Sequence, residues 1–579
     1  MQQLNLEPFY DVVIIGAGVA GLTAAALLAK TGLSVCVLEA GAVGGGYLQG
    51  FRRKDFRFDT AIHWLNQYEP GGMICMTFDL LGNDYPQAVP QKRIKRYKGD
   101  GFDYLLTNNP DELKKQWQEE FPEDAAGLER FFAAAKKIGK SFKEFGHIFR
   151  SEESMNFFER MGNKKNLLKF ALPFIPHIRY TGAQGTPKGL HKYFKSPKLH
   201  RVFASDSELL SCLVPIGWAY YGDYQSPPKG GSQRITEWLT HVIQSFGNDV
   251  FYKCRVKEIL VEDGESKGVV FDHRGTDYTL KSKYVIAACD VETLYEKMLP
   301  ARAIPEKMKN KLRAAELYPS SVTVSIALDC PVEELGFNEE MVQISGVGEP
   351  HEKHQDGDPN TTEICILAPS FRDPSLAPEG QGTMSLHMPA LWDYEQQWMT
   401  ETDADGKITR GEKYKQLKER LADILIDRVE KMVAPGLRSH ILFYDVATPV
   451  THWRYSGNRG GTMMGAKPGR ANMQNKIAHY QTPVKRLLLG GHWAELGGGV
   501  PIAVKAATNA SLMILKEEKP EAFRLLKDYM DGKIKVAAFY ESGALKHYQN
   551  DWVPTPTPAE KKVLYYQKQA EKNKDLPDA

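Results

Sequence analysis

The segment DVVIIGAGVAGLTAAALLAKTGLSVCVLE, residues 11–39, decides the fold class of this chain. It opens with β-branched residues at 12–15, which are typical of a parallel strand buried on both faces. Glycines follow at once: Gly16 permits a tight turn, Gly18 lets a diphosphate approach the backbone, and Gly21 lets the next helix pack closely on the strand. The pattern predicts a dinucleotide-binding βαβ unit with the phosphates at the helix N-terminus.

The rest of this segment supports the same interpretation. Residues 22–30 are rich in Ala and Leu, as a helix would be, and Gly32 lies just past the expected helix end. Residues 35–38 predict a second strand that ends in Glu39, whose carboxylate we expect to accept hydrogen bonds from the ribose hydroxyls. By itself, the unit leaves FAD and NAD open as the dinucleotide.

Length and composition bound the class of protein. The chain has 579 residues, more than one hydrophobic core usually serves, so we expect two structural domains. With 42% hydrophobic residues, 25% charged residues and a net charge of +2, it fits a globular enzyme, and we expect no nucleic-acid partner. Seven scattered cysteines without a C-x-x-C pair suggest neither a zinc site nor a disulfide framework, which favours a reducing compartment.

The N-terminal sequence bears on localisation. It shows no secretory signal pattern, and glycines interrupt the uncharged residues 12–29 where a strand would turn into a helix. We therefore interpret this stretch as a buried βα unit, although its length approaches that of a membrane span. The expected location is the cytoplasmic side, either soluble or peripherally attached to a membrane.

A second glycine-rich segment, AGAVGGGYLQGFRRKDFRFDTAIHWL, occupies residues 40–65. It resembles the second glycine motif of the amine-oxidase-like FAD superfamily. More narrowly, FRFDTAIHWL at 56–65 is similar to the phytoene-desaturase-related group, which includes carotenoid isomerases and retinol saturases. Many relatives have Arg directly after the glycine pair, whereas this chain has Gly46 there, so Arg52 or Arg53 would have to neutralise the diphosphate instead.

Two later segments resemble the same superfamily and point to FAD rather than NAD. Residues 227–290 resemble its second FAD segment, in which the backbone of Val256 would contact adenine. Residues 486–515 predict a strand, a glycine-rich turn and a helix that would face the flavin pyrimidine edge, although the family's Pro-Gly step is here Leu496-Gly497. The cofactor contacts implied together are Gly16, Gly18, Ala20, Gly21, Glu39, Ala40, Gly45, Gly46, Val256, Gly491, Gly498, Val500 and Pro501.

The predicted fold class is α/β. We expect a Rossmann-like FAD-binding domain of the GR2 type, which has a three-layer ββα arrangement, with an inserted α+β substrate-binding domain. The ranges expected to form the discontinuous FAD-binding domain are 1–85, 226–300 and 441–520. Residues 86–225 and 301–440 would form the substrate-binding domain, and 521–579 a C-terminal extension that ends in a surface arm from residue 551.

The inserted segments suggest the kind of substrate. Residues 136–201 interleave Lys and Arg with Phe, Leu, Ile and Tyr, which suits a surface that dips into anionic lipid headgroups or, equally, an ordinary solvated helix face. The apolar, aromatic residues 209–224 suit either a pocket for a long hydrophobic molecule or core packing. We expect a hydrophobic small molecule as the partner, and the oligomeric state stays open.

Two further segments resemble site motifs. Residues 401–412 resemble an EF-hand loop, but Glu401 occupies the first ligand position, so a polar turn before a helix at 413–433 is the better interpretation and no metal is expected. Residues 448–465 resemble the family's segment before its last flavin motif. They are expected to bring Trp453, Arg454 or Tyr455 near the active site.

The resemblance implies a flavin enzyme that adds, removes or rearranges hydrogens at polyene double bonds. The cofactor would carry the redox chemistry. For acid or base assistance the candidates are Glu495, then His63 and His492, with a plain loop hydrogen bond as the alternative for each. An amine oxidase and a non-catalytic binder of prenylated protein, both of the same superfamily, are the alternative functions.

Overall fold

The structure is a computed structural model that describes residues 4–145, 150–346, 357–403, 408–477 and 479–574. Its strands are β1 (Phe9–Ile15), β2 (Val35–Glu39), β3 (Gly50–Arg53), β4 (Phe56–Asp59), β5 (Val89–Pro90), β6 (Arg93–Gly99), β7 (Phe102–Thr107), β8 (Gln225–Ser226), β9 (Asp249–Tyr252), β10 (Cys254–Glu262), β11 (Glu265–His273), β12 (Thr276–Ala287), β13 (Ser320–Leu328), β14 (Met341–Ile344), β15 (Ile364–Leu367), β16 (Gly382–Ala390), β17 (Glu401–Thr402), β18 (Ile408–Thr409), β19 (Ile441–Ala447) and β20 (Leu487–Leu489). Its helices are α1 (Val19–Lys30), α2 (Met73–Asp79), α3 (Pro110–Glu120), α4 (Ala125–Phe145), α5 (Phe157–Ala171), α6 (Gly182–Leu190), α7 (Pro197–Val202), α8 (Leu209–Tyr220), α9 (Gln233–Ser245), α10 (Val291–Thr293), α11 (Glu306–Arg313), α12 (Tyr394–Met399, a turn with left-handed φ angles), α13 (Glu412–Met432), α14 (Pro449–Ser456), α15 (Arg470–Asn475), α16 (Val500–Glu518), α17 (Pro520–Met530), α18 (Ala537–Ser542) and α19 (Pro558–Lys574).

The first sheet is built around β1. Its parallel strands follow the order β9–β2–β1–β12–β20, so Val13 lies between Cys36 and Val285. Helix α1 packs against α9 and α16 and is buried along its whole length, which its small Ala and Gly side chains allow. The N-terminal half of β12 pairs antiparallel with β11, and β11 pairs antiparallel with β10. This topology confirms the predicted Rossmann-like α/β fold.

The second sheet has seven strands in the order β19–β13–β16–β15–β14–β6–β7. One face carries apolar residues such as Val324 and Leu386, which pack with Leu421 of α13 in a single core. Because side chains alternate along a strand, their neighbours form a row on the opposite face. That row, in strand order, is Ala447, Thr323, His387, Cys365, Gln343, Tyr97 and Tyr104.

Strand β19 belongs by its hydrogen bonds to this second sheet, through pairing with β13. Residues 441–447 fall within the range 441–520 that the sequence predicts to belong to the FAD-binding domain. Sequence patterns identify a strand but do not say which sheet it joins, because the pairing partner is distant in the chain.

A third core joins the first inserted segment to the outer strands β6 and β7. Helices α3, α4 and α8 contribute to it, and Trp117 and Phe131 are fully buried there. Residues on one side of α8, including Trp218, are only partly buried. The predicted apolar stretch at 209–224 therefore contributes to core packing and also keeps a partly accessible face.

The C-terminal extension packs on the first domain. Tyr548 Oη and the Trp552 amide both donate to the Asp84 carboxylate, each at 2.9 Å. The Asp551 carboxylate lies 2.8 Å from Nε2 of His241. The predicted surface arm from residue 551 is therefore anchored to the protein surface where it begins.

Helix α13 begins at Glu412, one residue before the predicted start. Within the EF-hand-like segment 401–412, residues 404–407 lie outside the described part of the chain. Among the described residues, no helix is both long enough and apolar enough to cross a membrane.

Candidate active site

The turn between β1 and α1 leaves space beside its backbone. A Cβ atom on Gly21 would lie 2.0 Å from the carbonyl oxygen of Gly16, so only glycine allows this approach of helix to strand. By contrast, a Cβ atom on Gly18 would meet no described protein atom within 4 Å. Within the described residues, no side chain caps the first turn of α1. The space beside Gly18 therefore faces uncapped helix amides, the arrangement that binds a diphosphate.

Glu39, at the end of β2, holds the loops around this turn. Its Oε2 accepts a hydrogen bond from the Ala17 amide at 2.7 Å, and its Oε1 accepts one from the Gly41 amide at 2.6 Å. Each carboxylate oxygen has a second lone pair, so these bonds leave acceptor capacity for ribose hydroxyls. Glu39 thus positions two loops, a role that its place in the sequence did not indicate, and its contact with the ribose stays a prediction.

The variant Glu39→Gln is expected to weaken FAD binding by about 10- to 100-fold. One amide acceptor becomes a donor, and the two charge-assisted bonds are worth roughly 1.5–3 kcal/mol each. The measurement is the FAD dissociation constant of the reconstituted apoprotein, by flavin fluorescence. Glu262→Gln at the exposed end of β10 is the matched control, and equal affinities for the two variants would contradict the expected role.

The second glycine loop lies directly against the first. The Gly45 amide donates to the carbonyl oxygen of Ala17 at 2.8 Å, and Gly45 forms a bridge with Gly18. Gly45 and Gly46 have φ angles of +133° and +55°, which glycine adopts without strain. The structure therefore brings these predicted cofactor residues together.

The arginines considered for diphosphate neutralisation lie elsewhere. Arg53 pairs with Asp445 at 2.7 Å, and Arg52 donates to the carbonyl oxygen of Lys54 at 2.6 Å. Both side chains are exposed on the hairpin of β3 and β4. That hypothesis is wrong, because these guanidinium groups already have partners on the outer surface.

Three other predicted cofactor residues lie near the Glu39 loop or α1. The Lys253 amide donates to the carbonyl oxygen of Gly41 at 2.8 Å, which brings the start of β10 to this loop. Val256 follows on β10 and is buried, Ala20 is buried in the first turn of α1, and Ala40 is exposed. Contact of the Val256 backbone with adenine stays a prediction.

The C-terminal element continues the same site. The Gly490 amide donates to the carbonyl oxygen of Ala287 at 3.0 Å, so Gly491 follows β20 beside the end of β12. Helix α16 begins at Val500 with Pro501 in its first turn, and no described side chain caps it. Its N-terminal amides are available to stabilise negative charge, as the sequence analysis expected for the flavin ring.

Three histidines, His63, His387 and His452, gather on the inner side of the second sheet. A fourth, His492, lies beside Gly465. His452 is buried, and the other three are half-buried. The His63 ring lies 4.3 Å from the His387 ring, and Thr323 Oγ1 is 3.1 Å from Nδ1 of His387. His452 follows, with its Nε2 3.4 Å from Ser321 Oγ. Among the described residues, Nε2 of His63, His387 and His492 is buried without a hydrogen-bond partner. Such orphaned polar atoms are expected where a cofactor or substrate completes the site.

Residues 462–465 connect these histidines to the glycine loops. Tyr47 Oη donates to the carbonyl oxygen of Thr462 at 2.8 Å. A Cβ atom on Gly465 would lie 2.8 Å from Nε2 of His492, and one on Gly498 would lie 2.4 Å from Cβ of Met464. The second glycine loop, the histidine cluster and the turn before α16 therefore form one continuous site.

Burial controls the charge of this cluster. It lowers the pKa of His63, His452 and His492 to about 4. The pKa of His387 is lowered well below its usual value, first by burial and then by the neighbouring His63 and His452. At neutral pH all four rings are uncharged. They are suited to donate one N–H each to a ligand atom rather than to supply a proton as imidazolium.

Glu495, the first candidate for acid catalysis, has two partners. Tyr480 Oη donates to its Oε1 at 2.5 Å, and Lys505 Nζ lies 2.9 Å from its Oε2. An ammonium partner stabilises the charged carboxylate, so this group is held as an ion pair. The described contacts place its side chain against α16. A role for Glu495, His63 or His492 in proton transfer stays a prediction.

The sequence did not indicate His387 or His452 as site residues. It indicated instead the residues that follow His452, namely Trp453, Arg454 and Tyr455. Trp453 packs on Trp392, with ring centroids 5.9 Å apart, and Tyr455 is 69% exposed. Arg454 is exposed and donates to the Tyr455 hydroxyl at 2.8 Å. Within α14, Pro449, Val450 and His452 are buried. His452 follows Pro449 by about one turn, so helical periodicity could have indicated it.

Comparison with known proteins decides the family. A family model described as "Flavin containing amine oxidoreductase" matches residues 19–515. The chain belongs to this family. It is therefore an FAD-dependent oxidoreductase, and the flavin-containing amine oxidoreductase family agrees with the FAD predicted from the glycine motifs.

Individual relatives confirm the narrower resemblance within this family. All-trans-retinol 13,14-reductase of Danio rerio is 26% identical over 570 residues, which cover 91% of this chain and 89% of the relative. Prolycopene isomerase 2 of an Oncidium hybrid cultivar is 25% identical over 479 residues, covering 78% of this chain and 75% of the relative. The solved structure of cyclohexylamine oxidase from Brevibacterium oxydans matches with a TM-score of 0.53 at 14% identity, covering 88% of this chain and 99% of that one, and shows the shared fold.

The residues present fit FAD. The open space at Gly18, flanked by Gly45, would hold the diphosphate, and Glu39 would lie beside the ribose. The first turn of α16 would face the flavin ring. When bound, FAD supplies the N5 position that accepts or donates a hydride.

Proposed function

We propose that this protein adds, removes or rearranges hydrogens at the carbon-carbon double bonds of a hydrophobic polyene or isoprenoid lipid. The proposal includes saturation, desaturation and cis–trans isomerisation, which share a flavin but differ in net electron transfer. The names of the relatives, a retinol reductase and a prolycopene isomerase, support this substrate class.

The observation that carries the proposal is the uncharged character of the histidine cluster. The described contacts of its rings are with hydroxyls, a tyrosine, a tryptophan and one another, and include neither a carboxylate nor an ammonium. A cationic substrate would lose its hydration there without a counter-charge, which costs several kcal/mol or more. A hydrocarbon segment has no such cost, so the alternative of an amine oxidase is disfavoured.

The chain's own residues would position the substrate rather than transfer electrons. The orphaned Nε2 atoms of His63 and His387 offer hydrogen-bonding sites on one side of the site, and the neutral rings provide apolar edges for packing. Burial of the cluster excludes water from the reacting bond, which protects the reduced flavin from side reactions.

The experiment is anaerobic incubation of the holoenzyme, in oxidised and in reduced form, with retinoids, carotenoids, unsaturated fatty acids and amines. We expect new polyene products by chromatography and mass spectrometry, with flavin reoxidised or reduced in step if the reaction is a net redox reaction. Isomers without net redox would identify an isomerase. Flavin bleaching by amines alone, with all polyenes unchanged, would contradict the proposal.

We also propose that α5 attaches the protein to an anionic membrane surface. The helix has no buried residue, and Phe157 and Phe158 are 72% and 83% exposed. Leu168 and Leu172, 58% and 54% exposed, continue the apolar side chains along the same segment. The basic residues between them are Arg160, Lys164, Lys165 and Lys169. Exposed apolar side chains among cations suit insertion between anionic headgroups. This surface lies within the predicted range 136–201, of which 146–149 are outside the described residues.

The double variant Phe158→Ser, Leu168→Ser is expected to lower binding to phosphatidylserine-containing vesicles by about 10- to 100-fold. Removing two side chains that insert into the interface loses roughly 1.5–3 kcal/mol in total, since each is only partly buried on binding. The measurement is vesicle co-sedimentation. Leu442→Ser, at a residue 45% exposed on β19, is the matched control, and equal losses in both proteins would refute a role of α5.

A further inference from the structure

The inner face of the second sheet carries a buried lysine on β6, three strands along the sheet from His387 on β16. Lys95 of β6 is 8% exposed, and its side chain points to the same face as Tyr97, whose ring centroid lies 4.7 Å from Nζ. Within the described residues, no carboxylate forms an ion pair with this ammonium and no acceptor forms a hydrogen bond with it. The ring of Tyr97 and nearby carboxyl groups stabilise this ammonium, but its N–H donors are unused among the described residues, so an acceptor atom of a ligand would stabilise it further.

Polar groups from two other strands surround Lys95. Gln343 of β14, 5% exposed, donates through Nε2 to the carboxylate of Glu363, which directly precedes β15. The Oε1 atom of Gln343 is buried and has no hydrogen-bond partner among the described residues. Lys95 and Gln343 are diagonal neighbours in the pairing of β6 with β14, so an unused donor and an unused acceptor share one face of the sheet.

Burial disfavours the charged form of both carboxyl groups near Lys95. Burial raises the pKa of Glu363 to about 7, and the nearby Asp206 raises it further while Lys95 opposes the shift. Burial also raises the pKa of Asp206, again opposed by Lys95. Lys95 thus lies near two carboxyl groups, and the added negative charge of an anionic ligand would be repelled by them.

The same cluster is connected to the histidines by two routes. Across the sheet, His387, Cys365, Gln343 and Tyr97 occupy one row, so Gln343 lies two strand spacings, about 10 Å, from His387. On the other side, Trp64, next to His63, packs on Tyr224 with ring centroids 6.3 Å apart. Tyr224 is near enough to Lys95 for the ammonium to oppose the rise of the tyrosine pKa. Glu363, Cys365 and His387 each keep accessible surface, as residues lining an interior space would.

We infer that Lys95, Gln343 and Glu363 form a subsite for the polar end of the substrate, and that this end is an uncharged hydroxyl. A hydroxyl can donate to Oε1 of Gln343 and accept from Lys95 at the same time. A carboxylate would face Glu363 and Asp206, and a hydrocarbon end would leave both polar groups unpaired. The inference rests on the proposed function, because it takes the rest of the molecule to be the polyene that reaches the histidines.

The test compares three probes with one polyene: all-trans-retinol, its methyl ether and all-trans-retinoic acid. Dissociation constants for the holoenzyme are measured by flavin fluorescence quenching, without turnover. Wild type is expected to bind the alcohol about 10- to 100-fold more tightly than the ether or the acid, because one paired hydroxyl is worth roughly 1.5–3 kcal/mol beside a charged group. Lys95→Met is expected to remove this preference while leaving the affinity for the ether unchanged.

Two further variants keep the test independent of folding defects at Lys95. Gln343→Leu is expected to reduce the alcohol preference in the same way, and Glu363→Gln to strengthen binding of the acid by about 10-fold. Lys98→Met, on the other face of β6 and paired with Asp103, is the matched control and is expected to keep the wild-type preference. Equal affinities of wild type for alcohol and ether would overturn the subsite even if polyenes are converted. A preference lost in Lys95→Met but retained in Lys98→Met would support the subsite even if no polyene is converted.

Discussion

Gly18→Ala is expected to yield a folded protein that has lost FAD. Gly18 has φ of −73° and ψ of 173°, which alanine adopts without strain, and its added Cβ would meet no described protein atom within 4 Å. That same space is where a diphosphate would lie against the α1 amides. A methyl group there displaces the phosphate, and we expect FAD affinity to fall by about 100-fold or more. The measurements are the visible flavin spectrum of the purified protein and its far-ultraviolet circular dichroism.

The neighbouring variant Gly21→Ala separates this effect from a folding effect. Its Cβ would lie 2.0 Å from the carbonyl oxygen of Gly16, which is backbone and cannot move away cheaply. We therefore expect Gly21→Ala to lose both FAD and soluble folded protein. If Gly18→Ala keeps a full complement of FAD, the diphosphate does not lie beside this turn. If instead Gly18→Ala unfolds, the space is not free.

His63→Gln is expected to make the protein less sensitive to acid. The folded pKa of His63 is lowered to about 4 from 6.5, so between these values the unfolded chain binds a proton that the folded chain excludes. The stability of the wild type therefore falls as the pH falls through this window, by about 2 kcal/mol between pH 7 and pH 5 for this histidine alone. Gln does not titrate, and that part of the loss is expected to disappear.

The measurement is the difference in unfolding free energy between wild type and variant, from urea titrations at pH 7 and pH 5. Taking the difference is necessary because buried carboxyls with a raised pKa, such as Asp59 at about 6, change stability in the opposite sense. Their effect is present in both proteins and cancels. His547→Gln, at an exposed histidine, is the matched control. A difference that does not change with pH would show that the His63 ring is hydrated and not buried.

Local sequence determined the nucleotide-binding unit. In β1 and α1, the β-branched residues favour a strand, the glycines favour the turn, and the small residues favour a closely packed helix. Each local pattern agrees with the observed backbone, so the unit could be predicted within a few residues of its bounds. The same holds for α9 and α13, whose apolar residues recur with helical periodicity. Glu39, Gly45 and Gly46 were also predictable, because each lies within one short loop of the turn that it contacts.

Only the tertiary structure decided how the substrate side of the site is assembled. His63 is more than 200 residues from Thr323 and His387, which are themselves 64 residues apart, and strand pairing between β13 and β16 places the last two together. Pairing of β6 with β14 likewise brings Lys95 and Gln343 to the same face. A lone histidine or lysine in a strand carries no local signal of its partner. The chemistry of such a side chain depends on its burial and on neighbours from other strands, which only the pairing register of the sheet brings close. The cofactor could therefore be predicted from sequence, whereas the charge and shape of the substrate side of the site could not.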